Sequence, residues 1–293
     1  MNRKEIRRAY PIWISLPTLL IYSLFFILPI LAAFGYSFTD WNIDRMDAPH
    51  FNGLSNFISL FQDEVFLRSL FNTFLFAVTT TFFKTVVGLA LALLVVKKFF
   101  GNSFFRTLFY MPCVLSCMIV GLLFTAILRT DGLLNNILNS IGLGGFAQDW
   151  LGSYGTAMFW IIAVEIWMWA GFSMFIFISG LQAIPRDYYE CADLEGAGAF
   201  QKFRHITFPL LAPSFTVVAT LNITGGLKVF DIVYSLTGGG PGFDTQVMNT
   251  YTYKAFGMGL LGKSSASALL LSIIVVVITF LLNRYLTKRE VET

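Results

Sequence analysis

Charge is scarce in this sequence. Only 13% of its 293 residues are Asp, Glu, Lys or Arg, against 56% hydrophobic and 17% aromatic. Such a chain cannot present enough polar surface to dissolve as a globule, so a soluble fold is excluded and a polytopic membrane protein is expected. Histidine is scarcer still: His50 and His205 lie far apart, and no nucleophile pairs with a base, which argues against a membrane enzyme. The three cysteines form no ligand cluster. Cys113 and Cys117 are four apart in an apolar stretch and Cys191 lies in a polar loop, so neither a disulfide framework nor a metal site is expected.

What the chain has is apolar length. A helix crosses the hydrocarbon core in about 20 residues, and six stretches reach that length: 12–37, 70–96, 105–128, 157–181, 210–236 and 265–286. The predicted fold is therefore all-α, with six transmembrane helices and no separate soluble domain. The first stretch follows a basic head as a signal peptide would. It is too long for a cleaved apolar region and lacks a small-x-small site, so a retained helix is expected.

The nominal charge of +3 says less than its placement. Arg3, Lys4, Arg7 and Arg8 precede the first span, Lys97, Lys98 and Arg106 follow the second, Arg186, Lys202 and Arg204 follow the fourth, and Arg284, Lys288 and Arg289 end the chain. The alternate connections hold Arg45, Arg68, Arg129, Lys254 and Lys263, offset by Asp40, Asp44, Asp47, Asp63, Glu64, Asp131, Asp149 and Asp244. The positive-inside rule places both termini and the 186–209 connection in the cytoplasm. On the other side, Asn52-Gly53 marks a turn, and Phe57, Leu60, Phe61 and Val65 form a short amphipathic run suited to an interface or a partner.

The polar loop 185–209 is helix-capable. Pro185 suits a first helical position, Asp187 favours the first turn, and Gly196 with Gly198 supplies a stop, which predicts a helix over 185–194. Phe200, Phe203 and Ile206 or Thr207 then recur near helical spacing until Pro209 opens the next span. Small Cys191 and Ala192 admit close approach of another surface, and Glu190 offers a directed charge. A bent pair of short helices suits a groove on a soluble partner.

Glu190-Cys191-Ala192, Gly196, Ile206, Phe208 and Pro209 resemble the coupling-loop signature E-A-A-x3-G-x9-I-x-L-P of permease subunits in binding-protein-dependent ABC importers, with Cys191 replacing Ala and Phe208 replacing Leu. Asn72-Thr73, Leu227-Lys228-Val229-Phe230-Asp231, Leu236-Thr237-Gly238-Gly239-Gly240-Pro241 and Tyr253-Lys254-Ala255-Phe256 are similar to its carbohydrate-uptake branch, of the maltose or glycerol-phosphate permease type. The resemblance covers nearly the whole chain. It implies a single permease domain over 1–293 with the type I importer fold, in a bacterial or archaeal cytoplasmic membrane. The implied partners are a second permease, two ATPase subunits that carry ATP and Mg, an extracytoplasmic sugar-binding protein, a carbohydrate and the bilayer, with no nucleic acid. The ATPases would bind Glu190, Cys191, Ala192, Gly196, Ile206 and Pro209. This chain would hold no cofactor, metal or catalytic residue.

The same resemblance implies a substrate path at Trp167, Trp169 and Phe172 and at Asn222, Gly226 and Val229. The last three would share one helix face by their i, i+4, i+7 spacing. Aromatic rings suit the apolar face of a pyranose and amides suit its hydroxyls; interfacial anchoring of Trp and close packing of Gly are the alternatives. Four ionisable residues fall inside spans, where a charge needs a partner or a cavity: Lys84, Glu165, Lys228 and Asp231. A helix through 228–231 would put the last two within a local ion pair near its end. Glu165 and Lys84 are open to either a structural pair or substrate contact.

Two further readings compete. Gly257, Gly262, Lys263 and Ser264 satisfy the P-loop pattern G-x4-G-K-[ST], which requires a preceding buried strand; here the neighbours read as an outer connection and a membrane span, so a glycine-rich entry to the sixth helix is expected. A stand-alone ion-coupled carrier using Glu165 or Asp231 is the second function considered. Carriers commonly show repeated halves or broken helices, and neither is visible in the sequence.

Overall fold

The structure, a computed structural model, describes residues 15–45, 49–97 and 100–288. Arg3, Lys4, Arg7, Arg8, Asp47, Lys98, Arg289 and positions 12–14 of the expected first span lie outside the described residues. Regular structure among the described residues is helical, apart from one antiparallel bridge between Thr39 and Phe51. Five segments have the length and apolarity to cross a membrane: Leu16–Tyr36 (α1), Glu64–Val96 (α3), Cys117–Ser140, Thr156–Ala183 (α7) and Leu261–Thr287 (α13). Ala199–Leu210 (α9) and Ala212–Leu227 (α10), bent by 65°, make a sixth as a pair. Between them lie the short helices Ser55–Phe61 (α2), Asn102–Tyr110 (α4), Asp187–Leu194 (α8), Asp231–Thr237 (α11) and Met248–Gly257 (α12). Within Cys117–Ser140, residues 129–132 separate Cys117–Leu128 (α5) from Leu133–Ser140 (α6).

Proline shapes two of these helices in the same way. Pro29 has no N–H to give the preceding turn and its ring crowds the carbonyl four residues back. The ladder slips instead into a π turn over Ser23–Ile27, where the Leu28 N–H reaches the Ser23 carbonyl. Pro209 repeats the effect: a π turn over Phe203–Thr207 sends the Phe208 N–H to the Phe203 carbonyl.

Two expected spans are broken. The third does not run unbroken over 105–128: after α4 a 3-10 turn at Met111–Val114 containing Pro112 leads to extended Leu115 (ψ 147°) and Ser116 (ψ 132°) before α5 begins. The fifth does not run over 210–236: α10 stops at Leu227, Phe230 takes φ −145° and ψ −61°, and α11 starts afresh at Asp231. Gly225 and Gly226 lower helix propensity just before that break. Broken helices, which the sequence hides, are thus present and do not discriminate against a carrier.

The chain forms two compact units. One comprises the described residues up to Asp63 with Thr252–Leu270. In it the Asn56 amide donates to the Ser37 and Thr39 carbonyls at 2.9 and 2.7 Å, closing the Asn52-Gly53 turn region, with Gly53 at φ +61°. Leu60 is buried, and Phe57 packs on Phe38 with ring centroids 5.3 Å apart.

The other unit comprises Glu64–Tyr251 and the described residues from Leu271 onward. There α3 packs along α7 and α10, and α5 along α11. Phe76, Val120, Ile161, Val164, Met168, Ile232 and Val233 form its main apolar cluster. Lipid is as apolar as these side chains, so the association rests on close van der Waals packing rather than on escape from water. The Asn72-Thr73 pair explains itself within α3. The Asn72 amide donates to the Asp244 and Gln246 carbonyls at 2.8 and 2.9 Å, and the Met248 N–H donates to the Thr73 hydroxyl at 2.9 Å. Both residues therefore pin the 244–248 loop.

Candidate functional site

The break after α10 opens one wall of a cavity of about 300 Å³. Its lining includes Lys84 of α3, Glu165, Trp169 and Phe172 of α7, Asn222 and Gly225 of α10, the unwound Lys228, Val229 and Phe230, and Asp231 at the start of α11. All four ionisable residues singled out from the sequence thus meet in one space. Irregular backbone at membrane depth is tolerated where it lines a cavity or is buried in protein. Here the Asn249 amide donates to the Lys228 and Val229 carbonyls at 2.7 and 3.3 Å and supports the unwound segment.

The floor is a polar hub. Lys84 Nζ lies 3.2 Å from Glu165 Oε1, and the two side chains are 3% and 10% exposed. This resolves the open reading of these residues: each is the other's partner, while both still line the cavity. One position along α3, the Asn222 amide reaches Ser173 Oγ at 3.1 Å and Thr85 Oγ1 at 3.5 Å, so α10 is tied to both α7 and α3. Trp169 and Phe172 meet edge to face with centroids 6.1 Å apart.

Several expectations are corrected here. Lys228 and Asp231 do not share a helix, because α10 ends between Asn222 and Lys228, and no ion pair joins them among the described residues. Val229 therefore cannot continue the Asn222–Gly226 face; it reaches the cavity through the unwound segment. Gly226 does not line it. A Cβ there would meet Ala77 Cα at 2.7 Å, so Gly226 serves the α3–α10 contact while Gly225, with open space, faces the cavity. Trp167 lies on another face of α7, 44% exposed, edge to face with Phe124. A residue two positions from Trp169 turns about 200° away on a helix, which explains the separation.

The loop carries the second cluster of candidate residues. Its first helix begins at Asp187, with Arg186 as N-cap, and ends in a Schellman motif: the Gly196 N–H donates to the Asp193 carbonyl at 3.1 Å and the Ala197 N–H to the Ala192 carbonyl at 2.9 Å. Gly196 takes φ +76°, where a Cβ is strained. The spacing of Ala192 and Gly196 is thus the spacing of that cap. Gly198 is not a second stop but the N-cap of α9, its N–H bonded to Gln201 Oε1 at 2.8 Å. Asp193 and Lys202 pair across the bend, and the Tyr189 and Thr207 hydroxyls lie 2.9 Å apart. Glu190 and Cys191 are exposed, Ala192, Ile206 and Pro209 half-buried. Leu194 and Phe200, which sequence reasoning passed over as contact residues, stand 91% and 72% exposed.

The P-loop pattern has another structural role. A helix, α12, precedes it in place of a strand. Lys263 Nζ is held 2.7 Å from Asp63 Oδ2, the Gly262 N–H donates to the Trp41 carbonyl at 2.8 Å, and a Cβ at Gly262 would meet the Thr39 carbonyl oxygen at 2.3 Å. Gly262 permits close packing, and the lysine is paired with an aspartate.

Among the described residues the architecture is helical and kinked, with a charged cavity and a capped helical loop, an arrangement that suits a transport subunit. Residues 84–291 match the family of binding-protein-dependent transport system inner membrane components, and the chain belongs to that family. It is 37% identical over 279 residues, 94% of this chain and 93% of the relative, to the probable starch degradation products transport system permease protein AmyD of Thermoanaerobacterium thermosulfurigenes. It is 32% identical over 265 residues, 90% and 89% of the two chains, to the trehalose/maltose transport system permease protein MalF of Thermococcus litoralis. The crystal structure of a bacterial ABC transporter involved in import of the acidic polysaccharide alginate has a chain of the same fold, at TM-score 0.84 and 24% identity over 97% of this chain and 98% of that one.

Proposed function

We propose that this permease forms, with a second homologous permease, the translocation path for a carbohydrate, an oligosaccharide delivered by an extracytoplasmic binding protein. The observation that carries the reading is the cavity at the α10 break, where aromatic rings, an amide and opposed charges face one space. Relatives bearing the names of starch-product and trehalose/maltose systems support a sugar cargo. Trp169, Phe172, Asn222 and Val229 are the path residues this reading retains. Trp167 and Gly226 keep supporting roles.

Two ATPase subunits, which hold the ATP and Mg, engage the 185–209 loop from the cytoplasm, where both termini also lie. Glu190, Cys191 and Ala192 face them, Gly196 fixes the bend, and Ile206 and Pro209 hand the loop over to the membrane helix. The exposed Leu194 and Phe200 add apolar contact area to that surface. Closure of the ATPases on nucleotide moves the loop and reorients the path.

The test is purification of the chain in mild detergent with mass spectrometry of what co-elutes, repeated with Glu190→Lys. Recovery of a second permease and an ATPase, the latter lost in the variant, is the expected result. The chain alone, still transporting in ATP-free proteoliposomes, would establish an ion-coupled carrier instead.

A further inference from the structure

The four charges around the cavity are not equivalent. Lys84 and Glu165 neutralise each other at 3.2 Å in the floor. Lys228 and Asp231 are both exposed and both line the cavity, and neither side chain has an ion pair or hydrogen bond among the described residues. The reason is the helix break: a continuous helix would place them one turn apart on one face, within reach of each other, whereas the unwound 228–230 segment separates them. The wall thus presents one unspent ammonium and one unspent carboxylate. Asn222 adds an acceptor, because its amide nitrogen is committed to Ser173 and Thr85 and its carbonyl oxygen is not.

Resting on the carbohydrate reading above, we propose that Lys228 and Asp231 are specificity-determining residues that select an uncharged, hydroxyl-rich saccharide over an anionic one. A hydroxyl both donates and accepts, so it satisfies Asp231 with its proton and Lys228 with its lone pairs, while Trp169 and Phe172 cover the apolar ring face. A carboxylate or phosphate only accepts. It is served by Lys228 but repelled by Asp231, and like charges brought together in a cavity are a strong device for rejection. Glu165 offers no relief, since the one other cation on this wall is already bound to it. The wall as a whole carries two positive and two negative groups, a balance that attracts neither sign of cargo at a distance.

The experiment uses the complete complex, this chain with its second permease and ATPases, in detergent and without the binding protein, so that the binding protein's own selectivity does not enter. Equilibrium dialysis compares labelled maltotriose with the corresponding tri-glucuronate, for the native chain, Asp231→Asn, Asp231→Glu and Lys228→Gln. The native complex is expected to prefer maltotriose by at least about tenfold, a factor equivalent to about 1.4 kcal/mol. Asp231→Asn should narrow that preference about tenfold, Asp231→Glu should keep it, and Lys228→Gln should weaken both ligands while widening the preference. An unchanged ratio in Asp231→Asn, a native preference for the uronate, or no binding of either sugar overturns the assignment. ATP-driven uptake by the same complexes with the binding protein restored is read in parallel. Its absence in the native complex would count against the importer reading itself, whereas uptake with unaltered selectivity would count against this inference alone.

Discussion

The Lys84–Glu165 pair allows a sharp test of how the cavity floor is held. Lys84→Met keeps the length and packing of the side chain but leaves the Glu165 carboxylate, 10% exposed, without its cation. Removing one member of a buried pair costs about 3–5 kcal/mol, whereas replacing both by apolar residues of similar volume is commonly neutral or stabilising. At about 2 °C per kcal/mol for a chain of this size, Lys84→Met should lower the melting temperature of the purified complex by about 6–10 °C. The double variant Lys84→Met/Glu165→Leu should recover most of that loss. Size-exclusion profiles after a heating series measure both, and ATP-driven uptake measured alongside separates floor stability from transport. The reasoning fails if the single variant melts with the native complex, since water in the cavity would then already solvate both charges as at an exposed pair worth about 1 kcal/mol or less. It fails equally if the double variant is the worst of the set.

Three further outcomes follow from particular contacts. Gly196→Val should uncouple uptake because φ +76° costs a β-branched residue more than about 1 kcal/mol, while Gly196→Asn, which tolerates the left-handed region, should retain most activity; ATPase co-purification with each variant is the measure. Gly226→Ala should destabilise the subunit by about 1–3 kcal/mol through collision with Ala77, whereas Gly225→Ala, with open space, should leave melting unchanged, so a thermal melt of the two side by side checks the assignment of the α10 faces. Lys263→Ala should leave uptake near normal and cost about 1 kcal/mol at most, since its ammonium is held in a partly exposed pair with Asp63; complete loss of uptake would reopen a nucleotide role.

Much of the chain is legible before any coordinates, for identifiable reasons. Apolar length reveals membrane helices because the bilayer sets a minimum, and Gly196 reveals the loop bend because the cap it makes tolerates little else. The interruptions at 111–116 and 228–230 were not legible in the same way. Apolar residues flank both breaks, and Pro112, the Gly225-Gly226 pair and the charges of Lys228 and Asp231 are the hints. The error propagated to the site. The resemblance put Gly226 in the cavity, a helix through 222–229 gave Asn222, Gly226 and Val229 one face, and a helix through 228–231 joined Lys228 to Asp231; the unwound residues obey neither periodicity. Pairing of Lys84 with Glu165 was beyond reach for a different reason, since 81 residues separate them and only the α3–α7 contact brings them together. Trp167 and Trp169 show the smaller limit of composition: aromatics two positions apart on one helix serve different faces.

The bend at Leu211 joins the loop to α10 without an intervening flexible linker, and Asn222 fastens α10 to two neighbours partway along. At about 1.5 Å per residue, the fastening point stands about 15 Å from the helix foot at Ala212 and about 7.5 Å from its end at Leu227. Were α10 to move as a rigid rod about that point, its arms would be unequal, and a displacement at the foot would reach the unwound Lys228–Phe230 segment halved in size and reversed in direction. A bulkier or slacker contact at Asn222 would then shift the gearing without touching either end.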